Sequence, residues 1–343
     1  MKPIILFICI SLVGFSRAFT QTANPQQYKY VFTVAKDGSG DYKFIQDAID
    51  AMRAFPLAPI TLFIKNGVYT EKIELPSYNT DVTFIGESVD KTIIRFTDYS
   101  GRGRTTTFTS YTAKISGARF VAENITFDNA AGPVGQAVAL HVEADKAVFK
   151  NCRFLGNQDT IYAAGEKSRQ YFLNCYIEGT TDFIFGPSTA LFQNCTIRCK
   201  SNSFITAANT PKDKKFGFVF IDCKVMADSS VSKLYLGRPW RAFAKTVFIR
   251  CELPKQITDA GWDNWNNPEN EKTTYYAEYL NTGEGANSKN RAAWSFQLTD
   301  KQVKEYTLEN IFGVSKTDVQ TESDWFQHIR TKPFEWPVNK TGN

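Results

Sequence analysis

Two aspartates stand out by their surroundings. Asp159 lies in the run Gly156-Asn157-Gln158-Asp159-Thr160-Ile161-Tyr162, and Asp182 opens Asp182-Phe183-Ile184-Phe185-Gly186. Each is the one carboxylate among apolar and amide residues. Each follows a similar lead-in, Phe149-Lys150-Asn151-Cys152-Arg153-Phe154 and Phe172-Leu173-Asn174-Cys175-Tyr176-Ile177. If such repeats stack as rungs, the two aspartates sit on neighbouring rungs, within reach of one substrate. Paired carboxylates in unlike environments serve acid/base or nucleophilic chemistry. Either aspartate alone reads as a turn residue of a repeat protein; the pair, with the partners below, does not.

Other routes to hydrolysis find little support. The chain has two histidines, His141 and His328. Neither sits in a Gly-x-Ser-x-Gly context, so a Ser-His-Asp triad is not indicated. His141 is expected to be structural. A carboxylate nucleophile remains.

The elements that must position these residues are repeats. The motif Phe-x-x-Cys-x-aliphatic recurs at Phe149, Phe172, Phe192, Phe220 and Phe248, with cysteine-to-cysteine steps of 23, 20, 28 and 28 residues. Weaker copies precede it at Val82 and Phe120. Short β-branched and aromatic strands between Gly, Asn and Asp turns, at this period, predict an all-β chain. The expected fold is a right-handed parallel β-helix over roughly residues 31–295, whose stacked coils share one core. The Phe, Cys and aliphatic positions should point inward. Asn151, Asn174, Asn194 and Asp222 should stack at one turn. Short helices should cap the ends: one over residues 42–55, started by Asp41, and one over residues 302–311, started by Thr299 or Asp300. Residues 320–343 read as a tail, and the aromatic-rich segment around Trp262, Trp265 and Tyr275 as packing along the outside.

Residues 1–20 read as a secretory signal peptide, with Lys2, a short apolar run from Ile4 to Val13, and Ser16-Arg17-Ala18 as cleavage context. Residues 21–343 then form a single catalytic domain, exported, soluble and monomeric. Formal net charge is +5 for the whole chain and +3 without residues 1–20, which carry Lys2 and Arg17. That is too mild for nucleic acid and compatible with an anionic substrate. No later run is apolar enough for a membrane span. Five of the six remaining cysteines occupy one repeat position, which predicts buried free thiols rather than disulfides. There is no CxxC pair and no acidic cluster beside the aspartates, so neither metal nor cofactor is expected.

Further runs complete a pattern: Gly67-Val68-Tyr69-Thr70-Glu71, Gly135-Gln136-Ala137-Val138-Ala139-Leu140, Leu236-Gly237-Arg238-Pro239-Trp240, and Ala277-Glu278-Tyr279 with Thr282-Gly283. In this order, on this repeat, they resemble the pectin methylesterases from about Val31 to Gly313. The resemblance implies hydrolysis of galacturonate methyl esters in pectin, with methanol released. It implies Asp182 as nucleophile, Asp159 as general acid and then base, and Gln158 and Gln136 as oxyanion donors. Arg238 would hold Asp182 ionised, and Trp240 would bind sugar. Thr107 matches a substrate-contacting threonine; Tyr162 and Phe183 are further candidate substrate contacts, for which core packing is the general default. Asn157 stands where an aromatic or other residue often precedes Gln-Asp, a departure that should alter subsite shape more than chemistry. The signal leads almost directly into this region, so no inhibitory pro-region is expected. Physically the set is coherent: a cation beside one of two close carboxylates leaves the other protonated, and glutamine amides donate to an oxyanion without adding charge. A pectate lyase or polygalacturonase would share the fold, and a non-catalytic polysaccharide-binding β-helix would use the aspartates as turns. Product analysis separates them.

Overall fold

The computed structural model of the chain describes residues 28–313 and 325–327. The proposed signal, most of the tail and His328 lie outside the described residues.

The repeat resolves into coils of three strands, each contributing one strand to each of three parallel sheets. One sheet has eleven strands and the other two have seven each. The chain is a parallel β-helix. In the coil carrying Asp159, Ala147–Lys150 joins the long sheet and Arg153–Leu155 the second. Ile161–Ala163 joins the third, which bears the site. One residue in the left-handed region makes each sharp turn. Asn124, Asn151, Asn174, Asn194, Asp222 and Arg250 have φ between 50° and 60°, stacked rung on rung. Short polar side chains tolerate this conformation best, which accounts for the asparagine ladder expected there.

Inward positions build one continuous core. Phe149, Phe172, Phe192, Phe220 and Phe248 stack face to face, with ring centres 4.3 to 4.9 Å apart and planes within 11°. Offset stacking adds about 0.5–1.5 kcal/mol per pair beyond area burial. Cys152, Cys175, Cys195, Cys223 and Cys251 follow them inward, all buried free thiols, as is Cys199. Each of the five thiols donates to a carbonyl one rung back, such as Cys175 Sγ to Phe149 O at 3.3 Å.

The caps differ from expectation. The first helix is only Ile45–Asp50, and Asp41 does not start it. Asp41 lies three residues before the cap position, Phe44; it accepts from the Thr33 amide and pairs with Lys29. Glu71, from the Gly67-Val68-Tyr69-Thr70-Glu71 run, accepts from the Ile45 and Gln46 amides instead, at 3.2 and 3.1 Å. The second helix is two short ones, Asp300–Val303 and Leu308–Ile311. Thr299 starts the first with a capping box to Gln302, as expected; Thr307 starts a second helix within the expected span. The C-terminal segment then covers the outer face of the long sheet: Ile311, Phe312, Trp325 and Phe326 pack on Tyr171, Leu191 and Val219.

Candidate active site

The site lies on the outer face of the third sheet. Register brings Tyr162 beside Phe185, Phe185 beside Ala207, and Ala207 beside Arg238 across successive rungs. The alanine between two large side chains leaves the floor of a cleft. Asp159 and Asp182 occupy the same turn position on adjacent rungs, with φ of 65° and 49°. Their amides donate to Thr181 O and Phe204 O of the next rung, at 3.1 and 2.9 Å. Gln136 and Gln158 pair in parallel, Gln158 directly preceding Asp159. A cleft of about 220 Å³ is lined by Thr107, Gln136, Gln158, Asp159, Asp182, Arg238 and Trp240 together.

The electrostatics separate the two carboxyls. Arg238 holds Asp182 with a two-pronged ion pair, Nε to Oδ1 at 3.0 Å and Nη2 to Oδ2 at 2.7 Å. Its guanidinium lies between the rings of Trp265 and Phe204, 3.7 and 4.0 Å from their centres. That sandwich fixes the fork and shields the pair from water. Burial raises the Asp182 pKa, and the Arg238 hydrogen bonds work against it. Asp159 has no such partner: among the described residues its carboxyl makes no side-chain hydrogen bond. Burial first, and then the Asp182 charge, push it up to about 8. The proton shared by this pair therefore belongs on Asp159. The side-chain amides of Gln136 and Gln158 also make no hydrogen bond among the described residues, leaving their donors free for a ligand.

Tyr162 stacks on Phe185 at 4.7 Å and backs the cleft rather than lining it. Phe183 is a correction: it is fully buried in the core and does not line this cleft. The tight turn at Asp182 sends Phe183 inward, and Phe185 is the phenylalanine of that run that faces the site. Phe108, Phe204 and Trp265 were also missed as site residues. Phe108 follows Thr107 in a 3₁₀ turn and lies 6.5 Å from Trp240. His141 is structural, as expected. Its Nδ1 sits 3.2 Å from Phe108 O, a bond that needs the proton on Nδ1, and its ring packs on Tyr162.

A family profile described as Pectinesterase matches residues 31–315. The chain belongs to the pectinesterase family. It is a carboxylic ester hydrolase of pectin. It is 38% identical over 284 residues to Pectinesterase 31 of Arabidopsis thaliana, covering 80% of this chain and 89% of that one. It is 40% identical to Probable pectinesterase/pectinesterase inhibitor 58 of the same plant, spanning only 50% of that protein's length. Among solved structures, the pectin methylesterase from carrot superposes with a TM-score of 0.80 at 33% identity, covering 89% of this chain and 97% of that one. Among the described residues no helix is long and apolar enough to cross a membrane.

Proposed function

We propose that this chain removes methyl esters from galacturonate units by a double displacement on Asp182. The Asp182 carboxylate attacks the ester carbonyl. The amides of Gln136 and Gln158 donate to the oxyanion that develops. Asp159, protonated at neutral pH, gives its proton to the departing methoxide, so methanol leaves and an acyl anhydride remains on Asp182. Asp159, now ionised, takes a proton from water as that water attacks the anhydride. The Asp182 carboxylate is expelled, the freed galacturonic acid group gives its proton to solvent, and both aspartates return to their starting states. Thr107 and Trp240 hold the sugar, with Phe185 as the aromatic of the cleft floor.

The observation that carries this reading is the unequal pair: Asp182 gripped by Arg238, and Asp159 unpartnered and held up to about 8. Methanol release from methyl-esterified pectin tests it. The wild-type chain should release methanol, and Asp182→Asn should reduce release to background while its circular dichroism spectrum remains that of the folded wild type. Full activity in Asp182→Asn would sink the mechanism. Residues 1–20 are proposed to direct export and the mature chain to act outside the cell as a monomer; sedimentation of the secreted protein checks the last point.

A further inference from the structure

Round the corner from the catalytic cleft lies a second cavity of about 450 Å³, lined by Lys212, Lys215, Lys245, Phe243, Tyr275 and Tyr306 among others. It forms where two successive coils pass from the site sheet to the long sheet. Lys212 lies in the loop between Ser203–Ala208 and Phe218–Ile221, and Phe243 in the loop between Leu234–Pro239 and Lys245–Ile249. The two loops touch: Lys212 Nζ sits 5.4 Å from the centre of the Phe243 ring.

Charge here is unbalanced. Lys212, Lys215 and Lys245 line the cavity with one carboxylate, Glu305, which pairs with Lys215 at 2.9 Å; Asp213, in the same loop as Lys212, acts on Lys245 only through its field. Among the described residues neither Lys212 nor Lys245 has an ion-pair partner. The Lys245 ammonium is half-buried and donates to the Lys214 carbonyl. The cavity also adjoins the cleft. Trp240 lines one and Phe243 the other; three residues of chain span at most about 11 Å. Between them stands Arg241, exposed, its guanidinium 5.0 Å over the Trp240 ring and bonded only to the Trp240 carbonyl among the described residues. A line of cations with aromatic faces thus runs from Arg238 past Arg241 to Lys212 and Lys245.

Hydrolysis of a uronate methyl ester turns a neutral unit into an anion, so a polymer acquires the charge this line complements as it is processed. We propose that the Lys212–Lys245 cavity is an accessory subsite for de-esterified galacturonate units of the chain held in the cleft. The proposal rests on the esterase reading for its ligand. Ammonium groups donate charge-assisted hydrogen bonds to the uronate carboxylates, and Phe243 and Tyr275 offer flat apolar faces to the sugar rings. A methyl-esterified unit gains little there.

The test is binding of fully de-esterified oligogalacturonates to the full chain by calorimetry, comparing trigalacturonate with a long oligomer. Lys212→Gln/Lys245→Gln should weaken the long oligomer about ten-fold or more and flatten its salt dependence. Trigalacturonate affinity and kcat on fully esterified pectin should stay as in the wild type. Lys212→Gln alone, on an exposed side chain, guards against misfolding and should give part of the loss. Lys289→Gln/Lys301→Gln makes the same change in net charge elsewhere and should leave both affinities alone. Unchanged affinity for the long oligomer in the cavity variant overturns the proposal. So does an equal loss for trigalacturonate, or an equal loss in the Lys289/Lys301 variant, since either means a general field effect. Absence of methanol release by the wild type would sink the esterase reading instead, whatever the binding shows.

Discussion

Asp159 carries two consequences that one substitution exposes. Its carboxyl is protonated in the folded chain up to about pH 8, while an unfolded aspartate ionises near 3.8. Between these values the folded state binds the extra proton, so this group's contribution to stability falls as pH rises and is lost by about 8. Asp159→Asn removes that penalty; its melting temperature should exceed the wild type's by a margin that widens from pH 4 to pH 8. A constant margin would mean that Asp159 ionises normally in the fold. The same variant should hydrolyse methyl esters poorly but recover first-step rate on an activated aryl ester, whose leaving group needs little protonation; Asp182→Asn should show no such rescue. The opposite pattern would reverse the two roles. Arg238→Ala takes from Asp182 the one partner that opposes its burial. The acid limb of the kcat/KM profile should therefore move to higher pH, with a strong loss of rate below it. An unmoved limb would make Arg238 a packing residue. Since the carboxyls interact, the limbs belong to the pair. At this scale the sequence told most where chemistry demands a residue type: Asp, Gln and Arg came together as expected. It failed at Phe183, because which of two nearby phenylalanines faces outward depends on how the turn at Asp182 feeds the strand.

Elements were legible where a local rule decides them and opaque where a distant residue does. Thr299 with Gln302 three positions on is a local signal, and the helix starts there. The first helix takes its acceptor from Glu71, twenty-six positions from Ile45, and nothing near Asp41 discloses that. Glu71→Ala should therefore lower stability by about 1–3 kcal/mol, the cost of leaving two amides unpaired at a partly buried helix start. Asp41→Ala should cost less than 1 kcal/mol, since its partners are exposed. Chemical denaturation of both variants checks the order; a larger loss for Asp41→Ala would restore it as the cap. Trp265 is another distant contributor. It belongs to a segment bridged to the Arg238 strand through Gly237 and Trp262, and its segment read only as packing along the outside. Its ring completes the sandwich on Arg238, so the surroundings of the Asp182–Arg238 ion pair are set in part by an element with no recognisable motif.

At the scale of the whole molecule the repeat was the clearest signal, because stacking imposes the same residue type on every rung. The thiols record that stacking. Five of them donate across successive rungs to carbonyls from Ala122 to Phe220, within a core cluster that runs unbroken from Phe32 to Tyr276. Burial pushes Cys152 up to about 12 and raises Cys195, Cys223 and Cys251 well above the usual thiol range, so these four offer almost no thiolate in the native protein. Labelling therefore requires opening. A stack of near-independent coils would fray from its ends. Here a helix sits at one end, and the segment around Phe312 lies along the outer face of the long sheet from Tyr171 to Ile249. That cover ties the C-terminal coils together. All six described thiols should thus react only in denaturant, and under sub-denaturing conditions Cys175, Cys195, Cys223 and Cys251 should label at one common rate. Mass spectrometry of the labelled peptides reads this directly. Earlier labelling of Cys251 would show that the last coils open alone, and Phe312→Ala should produce that behaviour by loosening the cover.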